Sequence, residues 1–459
     1  MNTGADQPAL GRILQNAGYN VAGAVLPVLV GLIAVPVLLN NLGEARLGIF
    51  TLAMGLIGFA GLFDLGLGRA LTQTVASALG NGVARTLIAD LVLRTVLLTL
   101  LLGCCWAVLI WLCADAGLRA LEIADVEVAN ETRTGLYWLA ASIPLLLASS
   151  SIIGALEGLE RFDLVNALRV PLGVLSFALP AAASWYKPSV AWAIAGLAIV
   201  RLLGAACWYM TLRRTLRPSL LRTGAERLQS NQLWRYSGWL SVSNVVGPLM
   251  AHADRFYLAT LFPPALIAHY TVPLDTLFRA TSVPLAAMNA AFPALAHSGN
   301  QGPLAGPISQ RGGVLLLAVW TLPICIAGYV LGPLLSLWLG ESFASQALPI
   351  ANTILLGVLI NGFAHIPFSL IQAFGHADVT AKLHLAELPI YAVLLVTLVS
   401  SFGILGAAIA WTIRVALDTL LLFVAAALRM RDGKSALLPA ALLCPLSALT
   451  LLGSLALQR

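Results

Sequence analysis

Charged and polar residues lie inside long apolar stretches of this sequence, where they could do chemistry only by facing water, ligand or one another. Thr271, Asp275, Arg279 and Ser282 recur at three- and four-residue spacing, so on a helix they share one face. A charge at the centre of a bilayer costs at least about 2.5–3.5 kcal/mol unless it meets protein or water. Such a stripe can line a wet cavity; an Asp275–Arg279 pair that neutralises itself while packing on a neighbour is the alternative. Earlier in the chain stand His252, Asp254 and Arg255, with Asn244 and Pro248 on a compatible face. Arg255 lies deep enough to need an anion or a carboxylate from another helix. The planar fork of arginine donates in parallel to phosphate oxygens and keeps its charge at accessible pH, which suits a diphosphate.

Further polar groups are less pointed. Asn20, at the polar start of the first apolar run, is a candidate cavity residue. The Asp64-Leu65-Gly66-Leu67-Gly68-Arg69 run ends the second apolar segment; its glycines permit close helix approach, so Asp64, Gly66, Gly68 and Arg69 read as a gate or hinge, with a helix-end ion pair as the alternative. Arg414 and Asp418 share a face four residues apart, and Arg201 stands alone near the middle of its run; these are expected to support the site or tie helices together. Glu387, just before Pro389, is a proton candidate by depth, while His269, His365, His376 and His384 are scattered singly. They read as plain polar contacts or proton-coupling groups.

The elements that would position these residues are membrane helices. Of 459 residues 59% are apolar and only 10% charged, with a mean hydropathy of +0.90, so the chain must use lipid as its solvent. At about 20 apolar residues per crossing, runs fall at 17–39, 48–71, 88–113, 135–155, 167–186, 190–210, 236–262, 268–292, 314–338, 349–371, 383–402 and 406–427. A further run at 436–457 leaves twelve or thirteen spans open. Residues 1–16 are polar and lead into a long span, so no cleavable signal is expected. The six cysteines lack metal or redox spacing and are expected to be buried free thiols. The outer break at 114–134, rich in Asp and Glu, reads as a short surface helix.

Charge sets the orientation. With the N-terminus inside, 17 of the 26 Lys and Arg residues fall in cytoplasmic breaks and five in outer ones, which the positive-inside rule favours. The basic break at 211–235 lies between six spans and six and reads as a linker that touches anionic lipid; nucleic acid is not expected as a partner. There is no glycine-rich phosphate loop with its lysine, no metal-spaced cluster and no nucleophile elbow. An enzyme is therefore disfavoured, and no cofactor is expected.

The two halves echo each other at an offset of about 220 residues, with Gly48, Phe50 and Thr51 matching Ala268, Tyr270 and Thr271, as in transporters built from parallel repeats. The stretch from Pro36 to Phe50 (PVLLNNLGEARLGIF), followed by Phe63-Asp64-Leu65-Gly66-Leu67-Gly68, resembles the first hairpin of polysaccharide-unit flippases of the multidrug/oligosaccharidyl-lipid/polysaccharide exporter superfamily. Asp254-Arg255 and Phe292-Pro293-Ala294-Leu295 resemble that family's second-half pattern. The resemblance implies an all-α polytopic membrane protein with two six-helix bundles, 1–217 and 218–434, around a central cavity, and 435–459 as the extra run. It implies a flippase in a bacterial cytoplasmic membrane that carries polyprenyl-diphosphate-linked oligosaccharide repeats to the outer leaflet by alternating access, for O-antigen or exopolysaccharide assembly. Membrane lipids and polymerase or chain-length proteins are the partners implied. A cation-coupled multidrug exporter of the same superfamily and a membrane-embedded glycan ligase or polymerase are the alternatives.

Overall fold

In the computed structural model, the described residues are 7–58, 64, 67–80, 84–120, 123, 125–220, 250, 252–285, 288, 305–373, 377–429, 444 and 448. The extra run at 436–457 and the break at 221–235 fall outside them, apart from Cys444 and Ala448. The chain divides into two compact units, Met1–Ala265 and Leu266–Arg459. Helices occupy most of the described residues, and nine are long and apolar enough to cross a membrane. With no water to satisfy backbone groups in hydrocarbon, a helix is the natural way for such sequence to cross.

The first unit begins with α1 (Gln7–Gly58), whose helical path is interrupted at Gly43 (φ 75°, ψ 170°). Glycine takes that left-handed backbone without steric cost, so the turn expected between the first two spans is made by one residue. The second expected span, 48–71, is not continuous in the structure. Helix α1 stops at Gly58, Asp64 sits in a turn, and α2 (Leu67–Gly80) begins beyond it. Then follow α3 (Arg85–Ala120), α4 (Val126–Gly158), α5 (Phe162–Tyr186) and α6 (Val190–Leu220). A short helix α7 (252–259) closes the unit.

Among the described residues the acidic outer break holds no separate helix; α3 extends to Ala120 and α4 starts at Val126. Asp125 caps α4 by accepting a hydrogen bond from the Glu127 amide at 2.8 Å, which satisfies one of the unpaired donors of the first turn. Glu131, one turn on, accepts two bonds from the Arg46 guanidinium at 2.8 and 3.1 Å and one from the Val190 amide at 3.1 Å. The acidity of this break thus serves helix ends and a tie between α1, α4 and α6.

The second unit holds α8 (Pro264–Phe278), which starts just before the division and runs into a 3₁₀ turn at Arg279–Thr281, and then α9 (Ala305–Leu339), α10 (Glu341–Ala373), α11 (Ala377–Phe402) and α12 (Ile404–Arg429). The two units agree in which helix is innermost and differ in which is outermost. In the first, α4 is innermost and α3 outermost, with 67% and 11% of their apolar windows buried; in the second, α10 and α11 take those extremes at 78% and 22%. The neighbour pattern repeats as well, with α4 against α6 and α5 against α6, then α10 against α12 and α11 against α12.

All six cysteines are free, yet Cys104, Cys105 and Cys113 are exposed, contrary to the expectation that they are buried. The reason is their helix: α3 has only its inner edge packed, and in lipid an exposed thiol on an apolar face carries no solvation penalty of the kind water imposes on apolar groups. Small residues set the packing elsewhere. On α4, a Cβ at Gly158 would stand 2.6 Å from the Thr72 carbonyl and one at Gly154 would overlap the Gly68 carbonyl. Two glycines four apart therefore bring the backbones of α2 and α4 together, as small residues do between membrane helices.

Candidate functional site

Helix contact through Gly154 and Gly158 places the turn before α2 beside α4, and this buries Asp64, which is 5% exposed. Its Oδ2 accepts a hydrogen bond from Ser150 Oγ at 2.9 Å, one turn before Gly154. Asp64 and Gly68, expected as a gate or hinge, line a cavity of about 480 Å³ within the first unit. Gly66 and the side chain of Arg69 lie outside the described residues, as does that of Asn20.

Four helices contribute to this cavity. From α4 come Leu146, Ser150, Ile153 and Glu157, from α5 Arg169, Leu172, Gly173 and Ser176, and from α6 Val200, Arg201, Gly204 and Trp208. Each set follows the three- and four-residue spacing of one helical face. Arg169 donates to Glu157 Oε1 at 2.7 Å, so two of the four charges on the walls satisfy each other. Arg201, expected as a supporting residue, lies on the cavity wall; its Nε is buried without a hydrogen-bond partner among the described residues.

The pair expected on the seventh span lies against α1. Asp254 is fully buried and its Oδ1 accepts from the Arg255 amide at 2.8 Å. Arg255 is 3% exposed, and a Cβ at Gly55 would come within 3.2 Å of its Cδ. One turn further along α1, a Cβ at Gly58 would overlap the ring of His252. Gly55 and Gly58 thus clear the face on which His252 and Arg255 rest, a role that sequence spacing alone did not reveal.

In the second unit Thr271 is buried and donates to the Ile267 carbonyl at 2.9 Å. Its echo Thr51, also buried, donates to the Gly48 carbonyl at 2.8 Å. Asp275 and Arg279 are half-buried and interact electrostatically. The 3₁₀ turn beginning at Arg279 tightens the helix there, so the stripe from Thr271 to Ser282 is not one unbroken α-helical face.

Glu387, read apart from the Arg414 and Asp418 face, comes together with it. Glu387 is 1% and Asp418 7% exposed, and Glu387 feels both Asp418 and Arg414. His384 Nε2 stands 3.4 Å from Asp418 Oδ1, and Arg414 lies over the Tyr391 ring at 5.6 Å. The expectation of scattered single histidines fails for His384, because α11 and α12 pack side by side. His365 on α10 also feels Asp418.

Solved structures of transporters share this helical fold. An inward-facing multidrug resistance MATE family transporter of the MOP superfamily superposes with a TM-score of 0.68 at 12% identity, over 91% of this chain and 99% of that one. The eukaryotic MATE transporter AtDTX14 gives 0.66 at 15% identity, over 94% and 99%. At these identities the likeness concerns the fold.

The sequence relationship is closer. Residues 13–298 match the family described as "Polysaccharide biosynthesis protein", and the chain is 31% identical over 411 residues to the "Putative O-antigen transporter" of Shigella flexneri, covering 89% of this chain and 96% of that protein. The chain belongs to this polysaccharide family, as the first hairpin indicated, and the relative and structural neighbours named above are transporters and not enzymes.

Proposed function

We propose that the protein carries polyprenyl-diphosphate-linked oligosaccharide repeats from the cytoplasmic to the outer leaflet of a bacterial cytoplasmic membrane, by alternating access, for surface polysaccharide assembly. The observation that carries this reading is kinship over nearly the whole chain to a protein named as an O-antigen transporter, in a chain that keeps Arg255 almost fully buried. In this reading the spans number twelve or thirteen and form bundles 1–217 and 218–434 around a central cavity, with the N-terminus cytoplasmic. Arg279, Asp275, Arg255, Asp254, His252 and Asn20 receive the headgroup; Asp64, Gly66, Gly68 and Arg69 move as the gate; Glu387, Arg414 and Asp418 support the second bundle. Guanidinium groups suit a diphosphate, whereas a cationic drug would call for an acidic cavity.

The test is transfer of a fluorescent polyprenyl-diphosphate oligosaccharide between leaflets of proteoliposomes. Wild type is expected to move it, and Arg255→Ala and Arg279→Ala to slow it at least tenfold while reaching the membrane in normal amount. Wild-type rates in both variants would remove the site assignment, and no transfer by folded wild type would remove the flippase reading.

A further inference from the structure

In the first unit one buried cation, Arg201, meets no counter-charge among the described residues. Arg201 lies on the wall of the cavity bounded by α2, α4, α5 and α6. Its Nε is buried without a partner, and no carboxylate lies beside its guanidinium among the described residues. The other charged groups of the cavity are engaged: Asp64 with Ser150, and Glu157 with Arg169. The serines turn inward too, since Ser149 donates to the Leu145 carbonyl and Ser176 to the Leu172 carbonyl. Arg201 is thus the charged group on these walls that meets neither a carboxylate nor a hydroxyl among the described residues.

The second unit supplies the contrast. Arg414 stands ten residues into α12 and Arg201 eleven residues into α6, and these helices have matching neighbours in the two units. Arg414 Nε is likewise buried without a hydrogen-bond partner among the described residues, but its guanidinium lies over the Tyr391 ring and in the field of the Glu387 carboxyl group. A buried charge is kept at a cost of several kcal/mol unless an opposite charge lies near, so of two equivalently placed arginines the one with no carboxyl group near it among the described residues is the better placed to meet an outside ligand.

We infer that the Arg201 cavity binds the phosphate headgroup of an amphiphilic lipid. A guanidinium meets phosphate oxygens with two parallel bonds. The apolar walls at Leu146, Ile153, Leu172, Val200 and Trp208 suit the start of an alkyl or isoprenoid chain, and the volume of about 480 Å³ is in the range of small-molecule sites. The headgroup can come from the carrier-linked substrate or from a bilayer phospholipid, and the chemistry at Arg201 is the same for both. This site lies within one unit and is separate from Arg255 and Arg279, so it does not depend on the transport reading.

The experiment measures binding to the purified full-length protein in detergent, by titration calorimetry, with farnesyl diphosphate, farnesol, phosphatidylglycerol and inorganic diphosphate as probes. Arg201→Gln removes the charge. Gly204→Met fills the cavity with Arg201 in place, and its Cβ would meet only Leu172 methyl groups at 3.4 Å, so this variant is expected to fold. A phosphate-bearing lipid should bind wild type and lose at least tenfold in affinity in both variants, while farnesol shows no dependence on Arg201. If farnesyl diphosphate alone behaves so, the substrate carrier is the source; if phosphatidylglycerol does so equally, the bilayer is. Equal binding of every lipid to wild type and both folded variants, or dependence on Arg201 for inorganic diphosphate only, overturns the assignment. Leaflet transfer is read separately, so loss of one reading leaves the other standing.

Discussion

The two units use one helix-packing plan for different polar interiors. Around α6 the first unit keeps an open volume of about 480 Å³ walled by Arg201, Asp64 and an Arg169–Glu157 pair. Around α12 the second unit closes Glu387, Asp418, Arg414, His384 and Tyr391 on one another. The comparison teaches that an arginine at an equivalent place in a repeat takes its meaning from its neighbours. In one unit the protein supplies the counter-group, and in the other a cavity stands in its place.

The comparison breaks most severely if the backbone approach that shapes the first cavity is lost. Gly154→Leu is expected to force α2 from α4, because its side chain would overlap the Gly68 carbonyl. Overpacking costs about 1–3 kcal/mol where neighbours can yield, and more against backbone, so a loss of about 3 kcal/mol or more is expected, seen as a large fall in the melting temperature of purified protein. A melting temperature equal to wild type would mean that the glycine contact does not define the cavity.

Next in size is Arg414→Gln, which leaves Glu387 and Asp418 buried together without their cation. Breaking a buried pair costs about 3–5 kcal/mol, and since Arg414 is half-buried a loss of about 2–3 kcal/mol is expected in denaturation. Glu131→Ala should follow, at about 1–2 kcal/mol, as it strands the Arg46 guanidinium and the Val190 amide, which are only partly exposed. Arg201→Gln is expected to have the smallest effect and the opposite sign. Removing an uncompensated charge should leave stability unchanged or raise it by up to about 1 kcal/mol. A loss as large as that of Arg414→Gln would show that Arg201 has a protein counter-group and would erase the contrast between the units.

Much of this was legible before any coordinates. Hydropathy alone forces membrane helices, and α3 through α6 and α9 through α12 fall on the runs read from it. The family could be read from the first hairpin because it depends on local order, and Gly43 makes the turn there. The pattern of glycines at 154 and 158 was also in plain view, although its consequence for Asp64 was not. The break of the second span before α2 and the extension of α3 to Ala120 were missed because hydropathy measures apolarity and is nearly blind to where helical hydrogen bonding stops.

What the sequence determined by itself was that this chain lives in lipid, that it is helical, and that charges within its spans must meet water, ligand or each other. These follow from the cost of exposing polar groups to hydrocarbon, which is paid residue by residue. Tertiary structure decided which demands the protein meets internally. Asp418 finds His384 and Asp64 finds Ser150, while Arg201 finds a cavity, because partners far apart in sequence meet only through helix packing set by glycines and side-chain shape.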